Sequence, residues 1–154
     1  MASTSYAELA RRCQEVARGL IALGIGSGDR VSILGSTRWE WTVCDLGSAC
    51  AGAVVAPIYH TNSPGECAHV LSDSGARLVF CEDAAQAAKI ASVRELCPRL
   101  EHVVVIDGEA PGAMTLESLR VAGGEIDAGA VDQRIEGVAP RDLATIVYTS
   151  GTTG

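Results

Sequence analysis

The sequence predicts an α/β fold, a parallel sheet assembled from successive β-α units. Helical and strand-like patterns alternate, with short turns between them, from the amino terminus to about Ile106. At 154 residues, with 47% apolar and 20% charged residues, the chain has the size and composition of one folded domain. Near the carboxyl end Ala144, Ile146 and Val147 read as a buried strand that Tyr148 closes, and six small residues follow, as when a strand delivers a loop to the carboxyl edge of a parallel sheet.

Each element has its own warrant. From Ser5 to Leu23, a Ser cap precedes Leu9, Cys13, Val16, Leu20 and Leu23 at helical spacing, and Gly24 ends the run. Val31, Ile33 and Leu34 make the first strand. Ser36 or Thr37 can cap a second helix through Trp39, Val43, Leu46 and Cys50, and Val54 to Pro57 is the second strand. A third helix is expected from about Pro64 to Ser72, a third strand over Leu78 to Cys81, a fourth helix between Asp83 and Leu96, and a fourth strand over Val103 to Ile106. Residues 107–141 then read as an irregular surface connection within the domain. Glycines, Pro111, Pro140 and scattered acids there surround one short helical candidate, Thr115 to Val121.

Several functions are disfavoured by composition. A net charge of −7 argues against a nucleic-acid partner and favours a soluble cytoplasmic protein. The longest apolar stretch, Ala49 to Ile58, is interrupted by Gly52 and is far shorter than the ~20 residues a membrane span needs. Peripheral membrane contact would call for a basic amphipathic stripe, and this segment carries none. The six cysteines form no Cys-x-x-Cys pair and stand at no metal-ligand spacing from a His, so no metal ligands are assigned and reduced core thiols are expected.

Two apparent signals have structural readings. Gly24-Ile-Gly-Ser-Gly28 has the composition of a dinucleotide fingerprint, but it follows a helix and enters a strand, the reverse of the order that brings a pyrophosphate to a helix N-terminus. Asp29 and Arg30 beside it read as solvated turn charges, and Trp39 as a residue packing a helix on the sheet. Tyr59, His60 and Thr61 follow the second strand and would share an edge with the terminal loop. No carboxylate and nucleophile form a triad with His60, and no catalytic residue is assigned.

The terminal loop, Thr149, Ser150, Gly151, Thr152, Thr153 and Gly154, contains no bulky side chain. A polyanion held by backbone amides requires that, because a larger Cβ substituent would keep phosphate oxygens away from the N–H groups, while Ser and Thr hydroxyls add donors. Tyr148-Thr-Ser-Gly-Thr-Thr-Gly154 resembles the signature loop of the adenylate-forming superfamily, which includes acyl-CoA synthetases, luciferases and peptide-synthetase adenylation domains. The resemblance extends upstream through Tyr6-Ala-Glu-Leu9, Val16-Ala-Arg-Gly-Leu-Ile-Ala-Leu-Gly24, Gly28-Asp-Arg-Val-Ser-Ile-Leu34, Thr37-Arg-Trp-Glu-Trp41 and Gly52-Ala-Val-Val-Ala-Pro-Ile-Tyr59. Pro57-Ile-Tyr-His-Thr-Asn-Ser63 and Ser72-Asp-Ser-Gly-Ala76 are similar to the long-chain fatty-acyl-CoA synthetase branch.

That resemblance implies that residues 1–154 are part of an amino-terminal, AMP-binding domain, incomplete at its carboxyl end. It implies a reaction in two halves. A fatty carboxylate attacks the α phosphate of ATP to give acyl-AMP and pyrophosphate, and the thiol of coenzyme A then displaces AMP, with Mg2+ accompanying the nucleotide. Residues Thr149 to Gly154 are the ones carried over, as the cradle of the β and γ phosphates. The family motif continues with one variable residue and Pro-Lys-Gly, and its adenine pocket, metal- and ribose-binding acids, acyl tunnel and catalytic lysine lie further downstream. Relatives also usually carry a longer segment before the first helix. The chain alone is therefore expected to be inactive. The alternatives are a stand-alone flavodoxin-like module that binds a phosphate ligand, and a regulatory or interaction remnant.

Overall fold

A computed structural model describes residues 4–149 and shows a five-stranded sheet with helices on both faces. Ser5 caps α1 (Tyr6–Ala22), its hydroxyl accepting the Glu8 N–H at 3.2 Å. The glycine run that follows serves as a turn. Gly24 and Gly28 have φ of 77° and 79°, a left-handed conformation that costs glycine little, and between them they aim the chain into β1 (Arg30–Gly35). Asp29 and Arg30 are tied down, in contrast to the solvated role expected of them. Asp29 accepts the Gly26 N–H at 2.7 Å and pairs with Arg77, while Arg30 Nε donates to the Ser74 carbonyl at 2.6 Å.

The succession continues with α2 (Trp39–Cys50), β2 (Val54–Tyr59), α3 (Pro64–Ser74), β3 (Leu78–Cys81), α4 (Ala84–Ser92) and β4 (His102–Val105). Ser63-Pro-Gly-Glu66 opens α3 with a capping box, the Ser63 hydroxyl accepting the Glu66 N–H while the Glu66 carboxylate accepts the Ser63 N–H. The strands lie in the order β2-β1-β3-β4-β5, and every pair is parallel. The chain steps one way from β1 to β2 and then crosses back over β1 to β3. Right-handed crossovers require the connecting helices to change face at that reversal. They do: α2 packs in one core with α1, and α3 and α4 pack in the other.

Alternation along the strands supplies both cores. Val31, Ile33, Leu78, Phe80 and Val104 face α1 and α2, whereas Leu34, Val79, Cys81 and Val105 face α3 and α4. All six cysteines are free thiols and all but Cys50 are buried. Burial raises their pKa, that of Cys13 to about 11 and that of Cys81 to about 12, which disfavours the nucleophilic thiolate. Ser32 is an exception to the apolar pattern. It is fully buried in β1, and its hydroxyl has no hydrogen-bond partner. Removing an unpartnered buried hydroxyl relieves a desolvation cost, so Ser32→Ala is expected to leave the thermal midpoint unchanged or to raise stability by up to about 1 kcal/mol. A drop of that size in a melting experiment would reveal a partner for the hydroxyl.

The stretch 107–141, expected as an irregular connection with one helix, is more structured than that. It contains β5 (Met114–Thr115), which extends the sheet beside β4, then α5 (Leu116–Ala122) and α6 (Ala128–Glu136). Leu119 and Val131 enter the same core as α1. Each short helix buries fully only that one residue, so an apolar period could hardly register in the sequence. The approach of α5 to α1 is close enough to need two glycines. A Cβ on Gly19 would lie 2.5 Å from the Leu119 carbonyl oxygen, and one on Gly123 would lie 2.5 Å from the Gly19 nitrogen.

Candidate functional site

The last described segment runs alongside β2. Thr145 forms a parallel bridge with Val55. The Val55 N–H donates to the Ala144 carbonyl at 3.1 Å, the Ile146 N–H donates to the Val55 carbonyl at 2.9 Å, and the Thr145 hydroxyl donates to that same carbonyl at 2.8 Å. A buried strand was expected over Ala144 to Val147, and here the structure differs. The pairing is a single bridge, and Leu143 and Val147 are 68% and 61% exposed. Ile146 and Tyr148 point to the α3 side and join its core, but no described element covers the opposite side, where Leu143 and Val147 project.

Because the bridge is parallel, Tyr148 and Thr149 leave at the carboxyl rim, beside the turns that follow β1, β2 and β3. Thr149 is exposed there; Ser150, Gly151, Thr152, Thr153 and Gly154 lie outside the described residues. A cavity of about 200 Å³ opens at this rim between the ends of β1 and β2 and the departing segment, lined by Gly35, Thr37, Trp41, Pro57, Tyr59 and Val147 among others. Trp41, rather than Trp39, packs against the core. Trp39 is 36% exposed in the first turn of α2. A larger hollow of about 470 Å³, near Gly28, Gly52 and Leu143, lies at the opposite, amino edge of the sheet and is remote from the loop.

The cations at the carboxyl rim are already engaged. Arg38 donates to Glu40 at 2.7 Å and Asp107 at 2.5 Å and stands 3.6 Å from Glu82. Lys89 donates to the His60 and Asn62 carbonyls at 2.8 and 3.1 Å, which ties the turn after β2 to α4. His60 contributes its carbonyl to that arrangement; its imidazole makes no hydrogen bond among the described residues. Arg38 is thus neutralised by carboxylates, whereas Lys89 is held by neutral carbonyls and has no carboxylate partner among the described residues.

Between β1 and β3, where the strand order reverses, open α/β sheets commonly bind a ligand. Here Glu82 fills that crevice. Its carboxylate accepts the Ser36 N–H at 2.8 Å and the Ser36 hydroxyl at 2.7 Å, and these bonds, with Arg38 nearby, hold its pKa below the usual carboxylate range. Ser36 or Thr37 was expected to cap the second helix; Ser36 is engaged by Glu82 instead, and Arg38 stands at the cap position of α2, its side chain making no capping hydrogen bond. A phosphate at this point would have to displace a carboxylate. The Glu82 contact bridges 46 residues of sequence, and neither end carries a local signal of it.

Tyr148, read from sequence as the close of a strand and the first residue of the motif resembling the signature loop, has a more definite place. Its hydroxyl donates to Asp73 Oδ2 at 2.7 Å, and its ring meets that of His69 edge-on, with centroids 6.0 Å apart and planes at 81°. Burial, followed by the Asp73 carboxylate, pushes the phenol up to about 12.

The AMP-binding enzyme family matches residues 2–154. This chain belongs to that family. Among AMP-binding enzymes it is 40% identical over 148 residues to the long-chain-fatty-acid–CoA ligase FadD15 of Mycobacterium bovis, covering 96% of this chain and 24% of that protein. It is 32% identical over 154 residues to the human long-chain-fatty-acid–CoA ligase ACSBG1, covering 97% and 21%. The chain thus spans less than a quarter of the length of these relatives. Its α/β fold matches the corresponding part of the anthranilate CoA ligase AuaEII, solved with anthranoyl-AMP (TM-score 0.83, 24% identity, 99% of this chain and 28% of that one). It also matches a long-chain-fatty-acid–CoA ligase, FadD1, of Archaeoglobus fulgidus (TM-score 0.81, 24% identity, 99% and 29%).

Proposed function

We propose that this member of the AMP-binding family forms the amino-terminal part of an ATP-dependent fatty-acyl-CoA synthetase, and that Thr149 to Gly154 cradle the β and γ phosphates of ATP. The observation that carries the reading is the similarity to long-chain ligases along nearly the whole chain. The parallel exit of Tyr148 and Thr149 at the carboxyl rim agrees with it. In this reading ATP, a fatty acid and coenzyme A are the substrates, Mg2+ travels with the nucleotide, and the protein is cytoplasmic. No helix among the described residues is long and apolar enough to cross a membrane.

The chemistry assigned to the loop is positional. Its amides and hydroxyls hold the leaving pyrophosphate in line with the attacking carboxylate and offset its charge without reorganising during the step. Arg38 takes no part in this, since Glu40 and Asp107 already hold its guanidinium.

Palmitate-dependent exchange of pyrophosphate into ATP tests the assignment. The complete polypeptide carrying this chain is expected to catalyse it, and residues 1–154 alone are expected to be silent, since no catalytic group is assigned among them. Absence of exchange by the complete polypeptide with any saturated fatty acid would overturn the activity. Turnover by residues 1–154 alone would show that the groups assigned to downstream sequence are not needed.

A further inference from the structure

The geometry points to Tyr148 as a positioning residue that fixes the base of the phosphate loop to α3 through Asp73. The inference rests on the reading of Thr149 to Gly154 as that loop. What it adds is an anchor, with two named partners on a helix that carries none of the loop's own residues.

The argument begins with how little else holds this segment. Backbone hydrogen bonds from β2 reach Ala144 and Ile146, and none beyond Ile146 joins the described residues to the sheet. The outward face is also unsupported, as Val147 is 61% exposed. Tyr148 is therefore the last fixed point before Thr149. Its phenol reaches across to α3, 75 residues away in sequence, and closes a 2.7 Å bond on Asp73. The edge-on contact with His69, one turn earlier on the same helix, restricts the swing of the ring.

The helix on which these partners sit is itself rigidly placed. Its start is locked by the Ser63–Glu66 capping box, and Cys67, Val70 and Leu71 are buried against the sheet. A hydrogen bond to a charged acceptor on such a support transmits the position of α3 to the next residue of the chain. A shift of about 1 Å at a positioning group is enough to weaken alignment of a reacting phosphate substantially. The bond is also directional, which hydrophobic packing of the ring alone would not be.

The test compares Tyr148→Phe, Asp73→Ala and Asp73→Asn in the complete polypeptide, by calorimetric titration with ATP and by the Michaelis constants for ATP and palmitate. Tyr148→Phe and Asp73→Ala are each expected to weaken ATP binding about tenfold, near the lower worth of a hydrogen bond to a charged group, with the constant for palmitate unchanged. The double variant should be no worse than either single one. Asp73→Asn keeps an acceptor oxygen and should recover most of the affinity. Amide exchange at Ile146, measured in residues 1–154, should quicken in Tyr148→Phe. Wild-type binding of ATP together with unaltered ATP affinity in the variants overturns the anchor and leaves the proposed function standing. Equal losses for ATP and palmitate overturn it also, because they would mark general damage to the fold. Failure of the wild-type polypeptide to bind ATP overturns the proposed function and, with it, the role assigned to Tyr148.

Discussion

Phe80→Ala is expected to destabilise the protein by roughly 4 kcal/mol, within the range measured for buried phenylalanines cut to alanine. Phe80 is the only phenylalanine in the chain and stands in the middle of β3 with 0% exposure. Its ring faces the core shared by α1, α2 and α5, where Leu20, Ile33 and Leu119 are also fully buried. These neighbours belong to separate elements of a sheet and its covering helices, so they cannot collapse together into the vacated space. The lost contact and the remaining cavity both count against the folded state. With a total stability on the order of 5–15 kcal/mol for a domain, the substitution removes a large share of it and should lower the thermal midpoint by roughly 12 °C. Urea unfolding should show a reduced midpoint concentration with an unchanged slope. A loss under about 1.5 kcal/mol would mean that the two faces of the sheet are less tightly packed than the burial of Phe80 indicates.

The elements carrying the sheet were legible because each announces itself locally. Ser5 caps α1 in the structure with its own hydroxyl, as its place before the helical run announces, and Leu78 to Cys81 was bounded correctly because four buried residues lie between a helix-ending glycine and an acidic cap. What stayed hidden was decided by contacts between distant residues. α6 escaped notice because it buries only Val131, and Ser36 could not be seen to prefer Glu82 over a helix end. The edge segment illustrates the same division from the other side. Ala144, Ile146 and Val147 form an apolar run that any pattern reader takes for a buried strand, yet whether such a run is buried depends on neighbours that its own residues do not encode. The candidate loop is a different case, legible from composition and order alone. The partner that steadies its first residues, Asp73, is exposed on α3 and was visible only once the fold brought it to Tyr148.

Gly151→Val in the complete polypeptide should cost about a hundredfold in kcat/KM for ATP, or roughly 2.7 kcal/mol of stabilisation of the developing pyrophosphate. The expectation comes from the chemistry of the loop sequence, since Gly151 itself lies outside the described residues. A branched side chain in a run whose amides must converge on phosphate oxygens both restricts the backbone and fills the space the anion needs. Loss of a glycine is not harmful in itself, and the protein supplies the control. A Cβ added at Gly65, in the first turn of α3, meets nothing within 4 Å, and alanine there suits a helix better than glycine. Gly65→Ala should therefore leave the ATP kinetics unchanged and raise the melting midpoint slightly. Comparing the two isolates the requirement of the loop from any general effect of stiffening the backbone. If Gly151→Val lowers kcat/KM by less than about threefold while the protein still folds, the loop does not grip the nucleotide through its main chain, and the phosphates must be held by side chains elsewhere.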